Sequence, residues 1–265
     1  MNWVYLSKNN NDEYVEMFAH GSGAVATALE TWDYSQSNDP LVIRGIMKHK
    51  IIKQCWQDQR RFRYMDSGYV GNRKNPLNPH GWKVWHRIVD NNLQHGTVAK
   101  RPSDRWDRLK IKINAKQVGG KHILIAAPDE KPCIFYGIDQ TRWLADTINE
   151  IKKHTDRPIV IRERNPNRQA RVSNDLESNL KDVFALVTYN SIAATESVLA
   201  GVPVFTLAPS NAALPVSNTD LTKIDSPWFP DTDQVHEWAC HLAYGQFHND
   251  ELKNGTAKQI LDEQL

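Results

Sequence analysis

Short apolar runs and longer stretches with apolar residues on one helical face divide this chain into a succession of small elements. Trp3–Leu6 reads as a first strand, and Asn9-Asn10-Asn11-Asp12 as a turn. Val15–Ala19 is a second apolar run, ending at His20-Gly21-Ser22-Gly23. Ala24–Thr31 beyond it is rich in helix formers. This spacing predicts a strand, a glycine-rich turn and the start of a helix. Leu41–Ile43 and Phe62–Met65 read as strands on either side of a helical stretch, Met47–Gln57, and 71–79 as a polar loop. Lys100–Gly120 has no clear period and ends at the pair Gly119-Gly120, a plausible linker. The pattern then restarts, with strands at His122–Ala127, Pro158–Arg162, Val183–Thr188 and Val202–Leu207. Between them lie helices at Thr141–His154, Leu176–Lys181 and Ser191–Ala200, the last closed by Gly201 as a C-terminal cap. Trp143, Leu144, Ile148 and Ile151 fall on one face of their helix. A last helix covers Gln234–Tyr244. Strand and helix in alternation imply an α/β chain with parallel sheets.

Composition narrows the class. With 265 residues, 40% of them hydrophobic and nine Trp, the chain can bury one large core or two smaller ones. No apolar run is long enough to span a bilayer, and Met1–Lys8 lacks the layout of a signal peptide. Cys55, Cys133 and Cys240 are odd in number and far apart, so they read as reduced thiols of a cytoplasmic protein.

The small net charge of +2 conceals an asymmetry. Between Arg44 and Lys121, 19 Lys or Arg stand against 5 Asp or Glu, leaving 14 basic and 26 acidic residues elsewhere. Trp56, Phe62, Tyr64, Tyr69, Trp82, Trp85 and Trp106 lie in the same stretch. Cations interleaved with rings suit a nucleic acid, whose phosphates supply affinity and whose displaced bases can stack. A basic surface that merely complements the acidic remainder is the alternative.

The most specific phrase is 183–205, a strand delivering Asn190-Ser191 to a helix that carries Glu196 and ends in Gly201-Val202-Pro203-Val204. Backbone N–H groups at such a helix start can bind an anion; Ser191 can add a hydroxyl, and Glu196 can accept from a ribose diol. An ordinary N-cap serine and a solvated glutamate are the plainer alternative. The phrase resembles the nucleotide-sugar-binding segment of the two-Rossmann-domain (GT-B) glycosyltransferases, especially the capsule-polysaccharide type. Upstream, 156–164 resembles the strand that brings basic residues to the diphosphate, here Arg162 and Arg164. The chain departs from that type by lacking Lys-x-His-Pro there, which leaves the base and sugar open. In the first half, 64–73 and 82–94 resemble segments of bacteriophage glycosyltransferases, as does 237–255.

The resemblance implies two Rossmann-like domains facing a cleft. An acceptor domain would take 1–118, a donor domain 119–232, and a C-terminal helical segment, 233–265, would return to the first. It also implies a UDP-sugar donor held by Arg162, Arg164, Asn190, Ser191, Ile192 and Glu196, with Gly21 and Ser22 approaching it. Transfer to a hydroxyl needs a base and stabilisation of the departing diphosphate. Asp66, at a strand end, is the candidate base, with the turn aspartate as its plainer reading; His20 is its rival. Asp231-Thr232-Asp233 reads as a helix cap, so no essential metal is expected. The phage-type resemblance, with the basic stretch, implies that 5-hydroxymethylcytosine or its uracil counterpart in duplex DNA is the acceptor, in an infected host's cytoplasm. Arg60, Arg61, Arg63, Tyr69, Arg73, Lys74, Trp82, Trp85 and Arg87 would then meet the DNA, and the enzyme would be a hexosyl- or pentosyltransferase, acting as a monomer. Two alternatives stand beside this reading: a glycosyltransferase with a saccharide or lipid-linked acceptor, and a non-catalytic DNA-binding protein.

Overall fold

The computed structural model describes residues 2–8, 12–72, 78, 83–162 and 180–263. Its strands are β1 (Val4–Ser7), β2 (Thr27–Ala28), β3 (Leu41–Arg44), β4 (Phe62–Ser67), β5 (Trp85–Asp90), β6 (His122–Ala126), β7 (Ile159–Ile161), β8 (Val183–Thr188), β9 (Val204–Thr206) and β10 (Gln246–His248). Its helices are α1 (Glu13–Gly21), α2 (His49–Gln57), α3 (Asp104–Leu109), α4 (Glu130–Tyr136), α5 (Gln140–Lys152), α6 (Ala193–Leu199), α7 (Thr232–Tyr244), α8 (Asn249–Lys253) and α9 (Thr256–Glu263). The chain divides into two compact units. One is Met1–Asn72 with Lys83–Leu93 and Tyr244–Leu265, and the other contains Gln94–Ala243. Residues 94–118 therefore group with the second sheet and 244–265 with the first, whereas the sequence reading placed the borders at 118 and 232.

Both units are Rossmann-like. The first sheet has the order β2-β1-β3-β4-β5-β10 and the second β7-β6-β8-β9. The second is parallel throughout; in the first, β1 to β4 are parallel, while β5 runs antiparallel to both β4 and β10. Each unit begins the same way. From its first strand the chain moves to one side, then returns past that strand to build the third and fourth on the other side. That reversal creates a switch point between β1 and β3, and another between β6 and β8. Ligands of open α/β sheets bind outside the carboxyl ends of the strands at such points.

The first unit corrects one sequence expectation. Residues 13–21 form a helix, not a strand leading to a glycine turn, and 24–31 contain the short strand β2 instead of a helix. Val15, Phe18 and Ala19 are buried at helical spacing, a period that a short apolar run does not distinguish from a strand. Gly23 has φ +72 and ends the helix: its N–H donates to the His20 carbonyl at 2.9 Å, and the Ala24 N–H to the Ala19 carbonyl at 2.9 Å. These glycines therefore serve a helix terminus. The face of α1 packs with Tyr5, Val42, Met65, Ile88 and Phe247 from the sheet and with Leu252, Ala257 and Leu261 from α8 and α9.

Gly21 lets α1 and the α8–α9 turn approach closely. A methyl group there would lie 2.0 Å from the Leu252 carbonyl oxygen, and one on Gly255, at φ +88, 2.7 Å from the Gly21 oxygen. Gly21→Ala is expected to destabilise the first unit by roughly 1–3 kcal/mol through overpacking. A urea midpoint unchanged from wild type would refute this close approach.

In the second unit, Ile123, Ile125, Ala185, Val187 and Phe205 pack against Ile151, with Trp143, Leu144 and Ile148 of α5 beside them, as their spacing predicts. The expected helix at 176–181 falls mostly outside the described residues. Asp231 accepts from the Gln234 N–H at 2.8 Å while the Gln234 side chain accepts from the Asp231 N–H at 3.0 Å, a reciprocal cap for α7. No described helix is long and apolar enough to cross a membrane.

Candidate functional site

The carboxyl end of the second sheet is organised around Thr188, the last residue of β8. Its hydroxyl donates to the Ala126 carbonyl at the end of β6, 2.7 Å away, tying together the two strands that flank the switch point. The same oxygen accepts from the Ser191 N–H at 3.4 Å. Ser191 in turn accepts on its hydroxyl from the Ala193 N–H at 3.2 Å, so it caps the start of α6. The capping reading and the anion-site reading coexist, because the hydroxyl proton of Ser191 remains available as a donor. Glu196 lies in the first turn of α6, and Arg162 directly follows β7, where its N–H donates to the Ile125 carbonyl at 2.9 Å. Arg164 lies outside the described residues. Gly201, at φ +85, ends α6: its N–H donates to the Val198 carbonyl at 3.0 Å and that of Val202 to Ser197 at 2.9 Å.

Two features of this end were not singled out from sequence. Gln94 is buried and spans two loops. Its amide nitrogen donates to the Asn190 carbonyl and its oxygen accepts from the Ala212 N–H, both at 2.9 Å. Trp238 of α7 holds the same residue from its next peptide group, donating to the Ala212 carbonyl at 2.7 Å. The turn that presents Ser191 is thus anchored through buried hydrogen bonds to α7. The second feature is aromatic. Tyr189 meets Tyr136 and Trp143 edge to face, with centroids 5.2 and 6.2 Å apart. These half-buried rings stand beside the switch point, and burial, then the neighbouring Cys133, raise the Tyr189 pKa. Only the spatial meeting of α4, α5 and β8 makes them a group. Gln94→Met keeps the size of the side chain and removes both hydrogen bonds. Amide hydrogen exchange at 190–194 is expected to speed up at least about tenfold, the equivalent of one or two kcal/mol of lost local stability. Unchanged protection there would show that Gln94 does not anchor the turn.

In the first unit, Asp66 stands at the carboxyl end of β4 with its side chain 30% exposed. Oδ2 accepts from the Tyr64 hydroxyl at 2.7 Å and lies 3.4 Å from an Arg87 nitrogen; Oδ1 accepts from the Ser67 N–H at 2.7 Å. Burial by itself raises the carboxyl pKa, but Arg87, then the Tyr64 and Ser67 hydrogen bonds and the Arg44 charge, outweigh it and hold it below its usual value. Arg87 is fixed in turn by donating to the carbonyls of Ser67 at 2.6 Å and Leu93 at 3.1 Å.

The other proposed residues of this unit lie elsewhere. His20 is exposed in the last turn of α1, about 12 Å along the helix from the loop after β1, at 1.5 Å per residue. The first-loop residue at the carboxyl edge is Asp12, not His20. Gly21 packs on Leu252, and the Ser22 hydroxyl donates to the Phe18 carbonyl at 2.7 Å, so neither forms a phosphate loop.

Several residues assigned to DNA are interior groups. Arg63 is fully buried, bonded to Asp90 at 3.2 Å and Asp262 at 2.9 Å, with its guanidinium 4.2 Å from the centroid of Trp3. Arg60 is buried, donating to the carbonyls of Asp39 and Tyr34, and Tyr69 and Arg87 are buried as well. A charge or ring enclosed in this way cannot lie against a phosphate backbone or a base. Arg61 and Trp85 are half-buried, Arg61 over Trp3 and Trp85 against His248. Arg73, Lys74 and Trp82 lie outside the described residues. Among the described residues of the basic stretch, the exposed cations are Lys50, Lys53 and Lys83 in the first unit and Lys100, Arg108, Lys110, Lys112, Lys116 and Lys121 in the second.

The three cysteines are free and buried. Among the described residues, no group of three or more His, Cys, Asp or Glu side chains could hold a metal ion.

No protein-family model matches the chain. No curated protein matches it either. Its fold is similar to that of the solved KpsC β-Kdo 2,4 transferase of Thermosulfurimonas dismutans, with a TM-score of 0.50 over 91% of this chain and 90% of that one, at 9% identity. A KpsC β-Kdo 2,7 transferase structure from the same organism matches at a TM-score of 0.47 and 8% identity, covering 99% of this chain and 100% of that one.

Proposed function

We propose that this chain is a glycosyltransferase that moves a sugar from a nucleotide-linked donor, a UDP-sugar in the first instance, to a hydroxyl of a saccharide. The observation that carries this reading is the turn at the carboxyl end of β8. It presents the Ser191 hydroxyl at a switch point, with Glu196 in the next helical turn. The diphosphate would lie at Asn190, Ser191 and Ile192 with Arg162 nearby. Glu196 would hold the ribose, and the rings of Tyr136, Tyr189 and Trp143 would receive the base. Asp66 would take the acceptor proton. The reading is supported by the fold likeness to a protein named as a sugar transferase across nine-tenths of both chains.

A second reading keeps the donor chemistry and takes a hydroxymethylated pyrimidine in DNA as acceptor. It is favoured by the exposed cations between Lys100 and Lys121, and weakened by the burial of Arg60, Arg63, Tyr69 and Arg87. One assay separates the two. UDP-, GDP-, dTDP- and CMP-sugars are offered with saccharide acceptors and with duplex DNA containing 5-hydroxymethylcytosine, and products are weighed by mass spectrometry. A mass gain of one sugar on a saccharide supports the first reading, and on the nucleoside the second. No transfer together with no nucleotide binding would end both.

A further inference from the structure

The first unit carries a charged cluster at its own switch point, between β1 and β3, that the donor chemistry leaves unused. Asp12 begins α1 and is only 8% exposed. Arg44, the last residue of β3, places Nη1 3.1 Å from its Oδ1. Lys48 places Nζ 3.7 Å from Oδ2 while donating to the Arg44 carbonyl at 2.9 Å. Lys8, just beyond β1, is a third cation of the group. Burial, the Arg44 charge and Lys8 each lower the Lys48 pKa, against the pull of Asp12. Glu16, a turn along α1, is engaged by the Ser7 hydroxyl at 2.9 Å. The Arg44 charge also reaches Asp66, whose own partner is Arg87; Arg44, Lys48, Lys8 and Arg87 against Asp12, Glu16 and Asp66 leave positive charge in excess.

The surroundings extend that excess. The Arg44 guanidinium lies over the Tyr14 ring, 4.6 Å from its centroid, and its buried Nε has no hydrogen-bond partner. Helix α2 begins just after Lys48 with neither a side-chain cap nor an acidic residue in its first turn, so the positive end of its dipole adds to the same region. Gly45, at φ +85 between β3 and Lys48, has open space where a side chain would project. Cations held at a strand end beside an uncapped helix and an open turn are the makings of an oxyanion site.

We propose that Arg44 and Lys48 form an oxyanion-binding site in the first unit that takes a carboxylate or phosphate group of the acceptor, a sugar acid or a sugar phosphate. The acceptor role rests on the glycosyltransferase reading; the oxyanion site itself does not. In the absence of ligand the Asp12 carboxylate occupies the two cations as an internal competitor, and an incoming oxyanion displaces it. Asp12 is suited to leave, because its backbone carbonyl and not its side chain accepts from the first N–H groups of α1.

The competitor gives the test two opposite signs. The 265-residue chain is titrated with inorganic phosphate, glucuronate and glucose at matched ionic strength, and amide NMR shifts are followed at 45–49. Phosphate and glucuronate are expected to produce saturable shifts and glucose none. Asp12→Asn should tighten phosphate binding about tenfold, and Lys48→Met should weaken it about tenfold, each the equivalent of one charge-assisted hydrogen bond. Stronger binding of glucuronate assigns the site to a sugar carboxylate, and of phosphate to a phosphorylated sugar. No saturable shift with either anion, or affinities that neither substitution moves, overturns the site. A UDP titration of the same samples, read at 190–196, keeps the two proposals apart. If those amides stay still while 45–49 respond, the donor reading fails and the oxyanion site stands; the reverse result removes the oxyanion site alone.

Discussion

Asp66→Asn is expected to lower sugar transfer by about 10²–10⁴-fold while leaving nucleotide affinity unchanged, because the substitution removes the proposed base and almost no volume. The environment of Asp66 sharpens this. Arg87, Tyr64 and Ser67 all favour the ionised carboxyl, so its folded pKa lies below the usual carboxylate value. The Asp66 carboxyl is therefore ionised at neutral pH, and the proposed base would be lost only as the pH falls through that depressed value. The acidic limb of kcat/KM should accordingly lie below about 4, the ordinary range for aspartate. Arg87→Met removes the main opposing charge, so the limb should move to higher pH as the carboxyl pKa rises. A pH profile that is the same in wild type and Arg87→Met would remove Asp66 from the chemistry, as would an Asp66→Asn enzyme of undiminished rate.

Acid should also cost this protein stability through two histidines, one in each unit. His86 is fully buried on β5. Burial, with the Arg44 charge, pushes its pKa down to about 3, although it bonds Asn249 at 3.1 Å. His241 on α7 is buried against residues 95–101, where its Nδ1 accepts from the Ala99 N–H at 3.3 Å. Burial, then Arg101, lowers its pKa to about 4. Both folded values lie below that of an exposed histidine, near 6.5. As pH falls below 6.5 the unfolded chain takes up protons that the folded chain refuses, so stability declines toward pH 4. At pH 4.5 each histidine should account for roughly 2–3 kcal/mol of that decline, at about 1.4 kcal/mol per pH unit. Urea unfolding at pH 7.5 and 4.5 measures the difference. The His86→Gln/His241→Gln double variant should lose most of its pH dependence. A double variant as acid-sensitive as wild type would assign the effect to other groups.

The second unit was far more legible than the first. The strand at Val183–Thr188 and the face of α5 matched their residue patterns because each has one unambiguous period. Gly201 was recognisable as a helix end, although the close approach of the Ala115 carbonyl, 2.1 Å from where a methyl would project, was not. Residues 13–21 failed for a physical reason: Val15, Met17, Phe18 and Ala19, four apolar residues within five positions, satisfy a strand and a buried helical face alike. The basic stretch misled differently. Arg63 reads as a surface cation in sequence, since its carboxylate partners come from β5 and from α9, some 200 positions downstream. Ser191, Glu196 and Asp66 could be nominated from local phrases. Gln94 could not, because its role depends on two loops that meet it only in the folded second unit.

The last strand of the first sheet has a consequence for synthesis. β10 pairs with β5, and the helices after it cover α1, so this unit closes with residues that leave the ribosome after all of 94–243. The second unit is contiguous over that span and can assemble its sheet while still tethered. The earlier-made strands must wait meanwhile, with the β5 edge unpaired and Tyr5, Phe18 and Met65 lacking Phe247, Leu252 and Leu261. Until its last residues leave the ribosome, the nascent chain therefore presents a sticky, half-built first sheet to chaperones.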